Sequence, residues 1–289
     1  MARRIPEQIQ QERVSRHSLT HQKIIPSTKA ALSATELGKA FRASDFVFRY
    51  INFEIAPGEI VALVGRSGMG KTTLLNILAG FISPTEGYAS TDGQVITEPG
   101  SDRTVVFQRD ALFPWLTVWD NAAFGLRHQQ QRYPNEESRI STLLERVGLA
   151  AFTDFYPRQL SGGMQKRAEL ARAFAAEPSI LLADEPFSSN DEVTRLELHQ
   201  LLLEEWKRSK TTILITTHDL EEAVFLSNRV LILEGIPANI SRIIEVPFPY
   251  PRHPELLQNP SFQELRAQIY RWITASPSAH PRAPKHNTA

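Results

Sequence analysis

Ile60-Val61-Ala62-Leu63-Val64 is apolar without alternation, and so is Ile180-Leu181-Leu182-Ala183. Runs of that kind mark strands buried on both faces of a parallel sheet. Thr211 to Thr217 is β-branched and apolar, a third such strand. After the first run, Thr72 to Leu78 takes up helical spacing, and strand-like and helical stretches alternate through residues 59–80 and 179–235. That alternation predicts a mostly parallel sheet covered by helices. Between the two blocks the period changes. Residues 134–176 read chiefly as helix, with Pro134 at a helix start, Leu143, Leu144 and Val147 on one amphipathic face, and a further helix from Met164 to Ala176. A helical lobe inserted at about 110–176 is therefore expected. Helix 191–208 is expected to cross back over the sheet, with Leu196, Leu198 and Leu201 to Leu203 on its buried side.

Beyond Val246 the prolines Pro247, Pro249, Pro251, Pro254 and Pro260 interrupt any helix or central strand, which predicts a Pro-rich linker. Phe262, Leu265, Ile269 and Trp272 then mark one face of a short helix that docks on its own core. Residues 1–31, rich in Gln, Arg, Ser and His, are expected to be a disordered N-terminal extension, and the end of the chain a disordered tail. The expected division is thus the extension 1–31, one α/β domain over 32–246, and the linker, helix and tail over 247–289.

Composition narrows the function classes. The chain has 289 residues, of which 42% are hydrophobic, enough for one sizeable α/β core. Its 32 basic and 32 acidic residues balance, so no overall field draws it to nucleic acid or anionic lipid, and no nucleic-acid partner is expected. The absence of cysteine excludes a disulfide framework and thiolate metal sites. No apolar run reaches the ~18 to 20 residues of a membrane-spanning helix, and none near the start resembles the middle of a signal peptide. Association with a membrane is expected to run through partners.

The chemistry is concentrated at the ends of the strand runs. Gly65-Arg66-Ser67-Gly68-Met69-Gly70-Lys71-Thr72-Thr73 follows the first strand and opens the helix after it. The spacing G-x-x-x-x-G-K-[ST] between strand and helix is that of a loop wrapped around phosphates. Gly65, Gly68 and Gly70 let backbone N–H groups turn toward an anion with no Cβ in the way, and the positive end of the helix points at the same place. The second run ends in Asp184-Glu185-Pro186, at the strand edge where open α/β sheets bind ligands. Asp184 there can hold Mg²⁺, with the Thr72 hydroxyl as a further ligand, while Glu185 can take a proton from an attacking water. His218-Asp219 closes the third strand, which puts His218 at the same edge as a γ-phosphate contact. Leu160-Ser161-Gly162-Gly163-Met164-Gln165 is a second glycine-bearing cradle. By itself it reads first as a helix N-cap with a flexible turn, and only beside the other motifs as a second phosphate contact.

In this order, from about Leu32 to Glu245, these residues resemble the ATP-binding subunit of ATP-binding cassette transporters. The resemblance implies an α/β P-loop ATPase core with a mostly parallel sheet, an N-terminal antiparallel β portion and the inserted helical lobe. It implies ATP and Mg²⁺ as cofactors, and hydrolysis to ADP and phosphate. It implies an aromatic residue on the adenine ring, for which Phe41 is better placed than its neighbours Phe46, Phe48 and Tyr50, and a Gln108 that contacts the metal and reports nucleotide state. It also implies two cassettes meeting head to tail, so that Ser161, Gly162 and Gly163 of one close on the γ-phosphate held by the other. The second cassette would be another copy of this chain or a homologous one. Two permease subunits and an external solute-binding protein would complete the assembly, with this subunit peripheral on the cytoplasmic face of the inner membrane.

A narrower resemblance lies in Leu112-Phe113-Pro114-Trp115-Leu116-Thr117-Val118-Trp119-Asp120-Asn121. The pattern is similar to cassettes of nitrate, sulfonate and taurine importers, where the segment forms part of the groove that receives a cytoplasmic helix of the permease. Phe113, Trp115 and Trp119 suit that role and a local core for the helical lobe equally. Import of a small anion is implied; a cassette for a pyrimidine precursor of thiamine, and a soluble cassette ATPase not coupled to transport, are the alternatives. After Phe187 the family usually reads Ser-Ala-Leu-Asp, whereas this chain reads Ser188-Ser189-Asn190-Asp191. Asn190 thus replaces an apolar residue at the dimer seam, which implies altered cross-talk between sites with catalysis retained.

Overall fold

Successive residues of strand β3 (Ile60–Gly65) enter different cores: Ile60, Ala62 and Val64 join one hydrophobic cluster, Val61 and Leu63 another. Strands β7 (Ile180–Asp184) and β8 (Thr212–Thr217) split the same way, Leu181, Ala183, Ile213 and Ile215 against Leu182 and Leu214. Because side chains alternate across a strand, a sheet covered on both faces requires apolar residues at every position, which is why these runs lack alternation. The computed structural model describes residues 30–42, 45–108, 111–127 and 135–275. The N-terminal extension, Pro134 and the tail lie outside the described residues.

The remaining strands are β1 (Leu32–Arg42), β2 (Asp45–Ile55), β4 (Glu86–Thr91), β5 (Gln94–Val95), β6 (Arg103–Val106), β9 (Arg229–Gly235) and β10 (Ala238–Glu245). All ten form one sheet in the order β5-β4-β1-β2-β10-β9-β3-β8-β7-β6. The sheet is mixed. From β9 to β6 every neighbour is parallel, the half that the unalternating runs predict. The pairs β1–β2, β1–β4, β4–β5 and β9–β10 are antiparallel. In β2 buried and exposed positions alternate toward the end of the strand, as expected of a strand covered on one face only.

Helix α1 (Lys71–Leu78) buries Leu74, Leu75, Ile77 and Leu78 in the cluster beneath the antiparallel half. Helices α2 (Val118–Arg127), α3 (Glu136–Arg146) and α4 (Gly162–Ala175) lie between β6 and β7 and form the inserted lobe. Ile140, Leu143 and Leu144 of α3 are buried, each burial stabilising by about 1.5 to 3 kcal/mol relative to exposure. Helix α5 (Glu192–Ser209) starts where the Asp191 carboxylate accepts a hydrogen bond from the Thr194 N–H, 3.0 Å away. Helices α6 (Leu220–Leu226) and α7 (Pro260–Ala275) complete the set. Among the described residues, no helix is long and apolar enough to cross a membrane.

The proline-rich stretch after Val246 is fastened to the core and not slack. The Tyr250 hydroxyl donates to Leu226 O at 2.6 Å, and Arg252, 2% exposed, donates to the carbonyls of Val224, Phe225, Ser227 and Phe248. Pro260 opens α7, a position where a missing N–H breaks no helical hydrogen bond. Phe262 and Ile269 are fully buried against the core, with Leu265 and Trp272 partly so.

Candidate active site

Strand β3 ends at Gly65, and the chain turns through Gly68 and Gly70, both in the left-handed region, before α1 begins. A Cβ on Gly70 would lie 2.6 Å from Val47 Cγ1 and 2.9 Å from Phe48 Cδ1, so only glycine allows the loop to seat against β2. No acidic residue occupies the first turn of α1, which leaves the positive helix end unneutralised. Lys71 is 6% exposed, its Nζ donating to Gly65 O at 3.0 Å. Ser67, Gly68 and Thr72 are exposed, Arg66 and Thr73 half-buried, and Met69 packs into the core behind the loop. Arg66 reaches the far end of α7, Nη2 lying 3.4 Å from Thr274 O. This cradle suits a polyphosphate: backbone donors, a helix end and one buried ammonium converge on it.

Asp184, 5% exposed, and Glu185 follow at the end of the neighbouring strand but one. Glu185 has φ 43°, a left-handed value uncommon for a residue with a side chain. Its carboxylate collects three side chains predicted from sequence. His218 Nδ1 is 3.0 Å from Oε2, Gln108 Nε2 donates to Oε2 at 3.1 Å, and Lys71 Nζ is 3.6 Å from Oε1. His218 itself is open, its side chain 63% exposed. Gln108, expected beside the metal, therefore holds the base through its amide. Among the described residues no three His, Cys, Asp or Glu side chains cluster as a metal site. Thr72 and Asp184 nonetheless fit Mg²⁺, which is usually held by one or two protein oxygens and completed by substrate phosphates and water.

The second cradle sits at the start of α4, in the helical lobe. Ser161 is the N-cap, its hydroxyl accepting from Met164 N at 3.3 Å, so the capping role is realised within the single chain. Gly163 is required by packing, because a Cβ there would lie 2.8 Å from Thr194 Cγ2. Gly162 faces open space, and Ser161 and Gly162 are exposed. Phe41 is 66% exposed with Lys39 Nζ 5.3 Å from its ring centre, whereas Phe48 is fully buried and cannot stack on a ligand. The aromatic cluster divides: Phe113 packs on Phe124 at 4.4 Å and Trp119 joins the core, while Trp115 is 69% exposed. Asn190 Oδ1 is buried without a hydrogen-bond partner.

Three participants went unnoticed in the sequence. Lys166 and Glu169, each 1% exposed, pair at 2.7 Å inside α4. Glu169 Oε1 also accepts from Ala111 N at 2.6 Å, and Arg172 donates to Ala111 O at 2.6 Å, tying the stretch just after Gln108 to the helix that begins at Ser161. Burial holds the Arg172 guanidinium below its ordinary pKa. The i, i+3 spacing of Lys166 and Glu169 was the available signal, but such pairs usually lie on solvated faces. Asp191 titrates below the usual carboxylate range, chiefly through the hydrogen bond from the Thr194 backbone.

This geometry has counterparts. The family model for the ABC transporter matches residues 48–188. The nitrate import ATP-binding protein NrtD of Synechocystis sp. is 44% identical over 221 residues, covering 75% of this chain and 83% of that protein. The aliphatic sulfonates import ATP-binding protein SsuB of Bacillus cereus is 41% identical over 223 residues, covering 77% and 86%. Among solved structures, the dimeric bacterial ABC transporter cassette MJ0796 is similar with a TM-score of 0.66 at 28% identity, covering 75% of this chain and 99% of that one.

Proposed function

This chain belongs to the ABC transporter family, and from that premise we propose that it is the ATP-hydrolysing subunit that powers import of a small anion through a separate permease. The observation that carries the catalytic part is the convergence of Lys71, Gln108 and His218 on Glu185. Lys71 moves from Glu185 to bridge the β- and γ-phosphates as the cradle fills. Thr72 and Asp184 hold Mg²⁺, which when bound neutralises charge developing on the transferred phosphoryl group. Glu185, freed from Lys71, takes the proton of the attacking water, and His218 keeps that carboxylate and the γ-phosphate aligned. Phe41 offers a flat face for the adenine ring.

Ser161, Gly162 and Gly163 act in trans, closing on the γ-phosphate held by a second cassette, either a copy of this chain or a homologue. Their exposure in the single chain supports this, as does the dimeric state of the similar solved cassette. The small-anion class rests on the nitrate and sulfonate relatives. Two permease subunits and an external solute-binding protein supply solute selection, and Trp115 belongs to the surface that meets the permease at the cytoplasmic face of the inner membrane.

A mixing experiment tests the shared pocket. Lys71→Ala and Ser161→Arg each abolish turnover alone, but mixed in equal amounts they form dimers in which one of two pockets is intact, restoring about a quarter of the parental rate by random pairing. No recovery on mixing would exclude a pocket completed by the second copy. Co-purification with a permease, followed by uptake of nitrate or alkanesulfonate into vesicles, tests the transport part.

A further inference from the structure

Thr216 occupies the position in β8 directly opposite Asp184 of β7, and it is fully buried. Its hydroxyl donates to Asp184 Oδ1 at 2.5 Å. The same oxygen lies 3.2 Å from Glu185 N, whose N–H is also held by Thr216 O at 3.0 Å. The single hydroxyl proton goes to the carboxylate, so its lone pairs are left for the amide. The result is a directed chain: Glu185 N–H to Thr216 Oγ1–H to Asp184 Oδ1.

We infer that Thr216 is a positioning residue that sets the Mg²⁺-binding carboxylate and the base relative to each other. With Oδ1 committed to Thr216, Asp184 presents Oδ2 to the cation in one fixed orientation. At Glu185 the strand ladder ends in a left-handed residue, and the two acceptors offered by Thr216 hold the N–H at that turn. A side chain that both donates and accepts within the width of one strand must be a hydroxyl on Cβ, so serine or threonine alone can serve. A valine there would fill the same volume and keep the strand preference but leave a buried carboxylate oxygen without its donor. This inference rests on the roles proposed above for Asp184 and Glu185.

The test compares Thr216→Val with Thr216→Ser in the full chain. Mn²⁺ serves as the metal probe, its binding in the presence of a non-hydrolysable ATP analogue followed by electron paramagnetic resonance, beside melting temperature and steady-state phosphate release. Thr216→Val is expected to weaken Mn²⁺ binding about tenfold and lower kcat at least as much, the effect of losing one hydrogen bond to a charged group. Metal-free nucleotide affinity should stay within about twofold, because the phosphate loop is untouched. Thr216→Ser should remain within about threefold of the parent in every readout, since the hydroxyl survives. Parental Mn²⁺ affinity in Thr216→Val would overturn the inference, and so would equal losses in both variants, which would assign the effect to packing. Failure of the unsubstituted chain to bind nucleotide would instead remove the functional reading on which the inference stands.

Discussion

Lys71 Nζ stands 3.6 Å from Glu185 Oε1, so without nucleotide the cation that serves the phosphates is paired with the carboxylate that serves the water. Their side chains are 7% and 16% exposed, which places the pair inside the protein rather than in the well-screened surface class. A γ-phosphate entering the cradle competes with Glu185 for one ammonium. Binding and activation of the base are therefore one event: the anion that draws Lys71 away leaves Glu185 with Gln108 and His218 alone.

Glu185→Gln removes the competitor and the base together. ATP binding should be preserved or strengthened, while phosphate release falls by about 10² to 10⁴, the usual contribution of a positioned base. The variant should also accumulate as an ATP-bound dimer, visible by size-exclusion chromatography with light scattering. Turnover at the parental rate would remove Glu185 from that role.

Gly163 separates packing from chemistry. In an exposed helix Gly→Ala stabilises by about 1 kcal/mol, but here the new Cβ would meet Thr194 Cγ2 at 2.8 Å, and overpacking costs about 1 to 3 kcal/mol. Gly163→Ala should thus lower the melting temperature. Adding Thr194→Ser deletes the opposing methyl and should restore it. If Gly163 also meets phosphate in trans, the double variant regains stability without regaining ATPase activity; recovery of both would make Gly163 a packing residue only.

The parallel half of the sheet and the phosphate loop were legible because each follows from a local rule. Ile60 to Val64 must be apolar throughout to separate two cores, and Gly70 must be glycine to clear Val47 and Phe48. What escaped notice depends on contacts across the chain. Thr216 looked like one more β-branched strand residue until β7 placed Asp184 beside it. Lys166 and Glu169 looked like a solvated helix pair until the backbone of Ala111 supplied their third partner. The prolines after Val246 gave a correct prohibition against helix or central strand, yet nothing local reveals that Arg252 anchors the stretch through carbonyls of α6 and the turn after it. In each case a polar side chain is buried by partners distant in sequence, and such partnerships leave no periodic trace.

Trp115 is 69% exposed although its neighbours Phe113 and Trp119 pack inward. Trp115→Ala should leave the melting temperature within about 0.5 kcal/mol equivalent of the parent, as for an exposed residue with no partner to lose. ATPase activity of the isolated chain should be unchanged. Co-purification with the permease should drop, because a buried tryptophan at an interface is worth about 2 kcal/mol or more. Unaltered association would confine Trp115 to the surface of the lobe.

Tyr250 gives the C-terminal segment a pH signature. Burial pushes its phenol up to about 12, overcoming the opposing charge of Arg252. A folded pKa above the unfolded value near 10 means the contribution is complete below about pH 10 and is lost as pH rises toward 12. Absorbance at 295 nm should show a late-ionising tyrosine in the folded chain, absent in Tyr250→Phe. Ionisation of all six tyrosines together near pH 10 would mean that the segment is undocked in solution.

Arg252 makes the strongest demand on that docking. Its guanidinium is buried with carbonyl oxygens from the last turn of α6 around it and the Tyr250 ring 4.1 Å away. Cations at a helix C-terminus are stabilised by the partial negative charge there, and the planar fork distributes its donors over several carbonyls at once. Arg252→Ala should cost about 3 kcal/mol, the loss expected when a buried hydrogen-bonded charge is truncated and its acceptors are stranded. Arg252→Lys should recover little, since one ammonium cannot span Val224, Ser227 and Phe248 together. Because α6 begins two residues after His218, loosening its far end should also raise the KM for ATP or lower kcat while the phosphate loop stays intact. Thermal melts and steady-state kinetics on both variants check this, and a lysine variant with parental stability and kinetics would show that charge alone, not the fork, holds the helix.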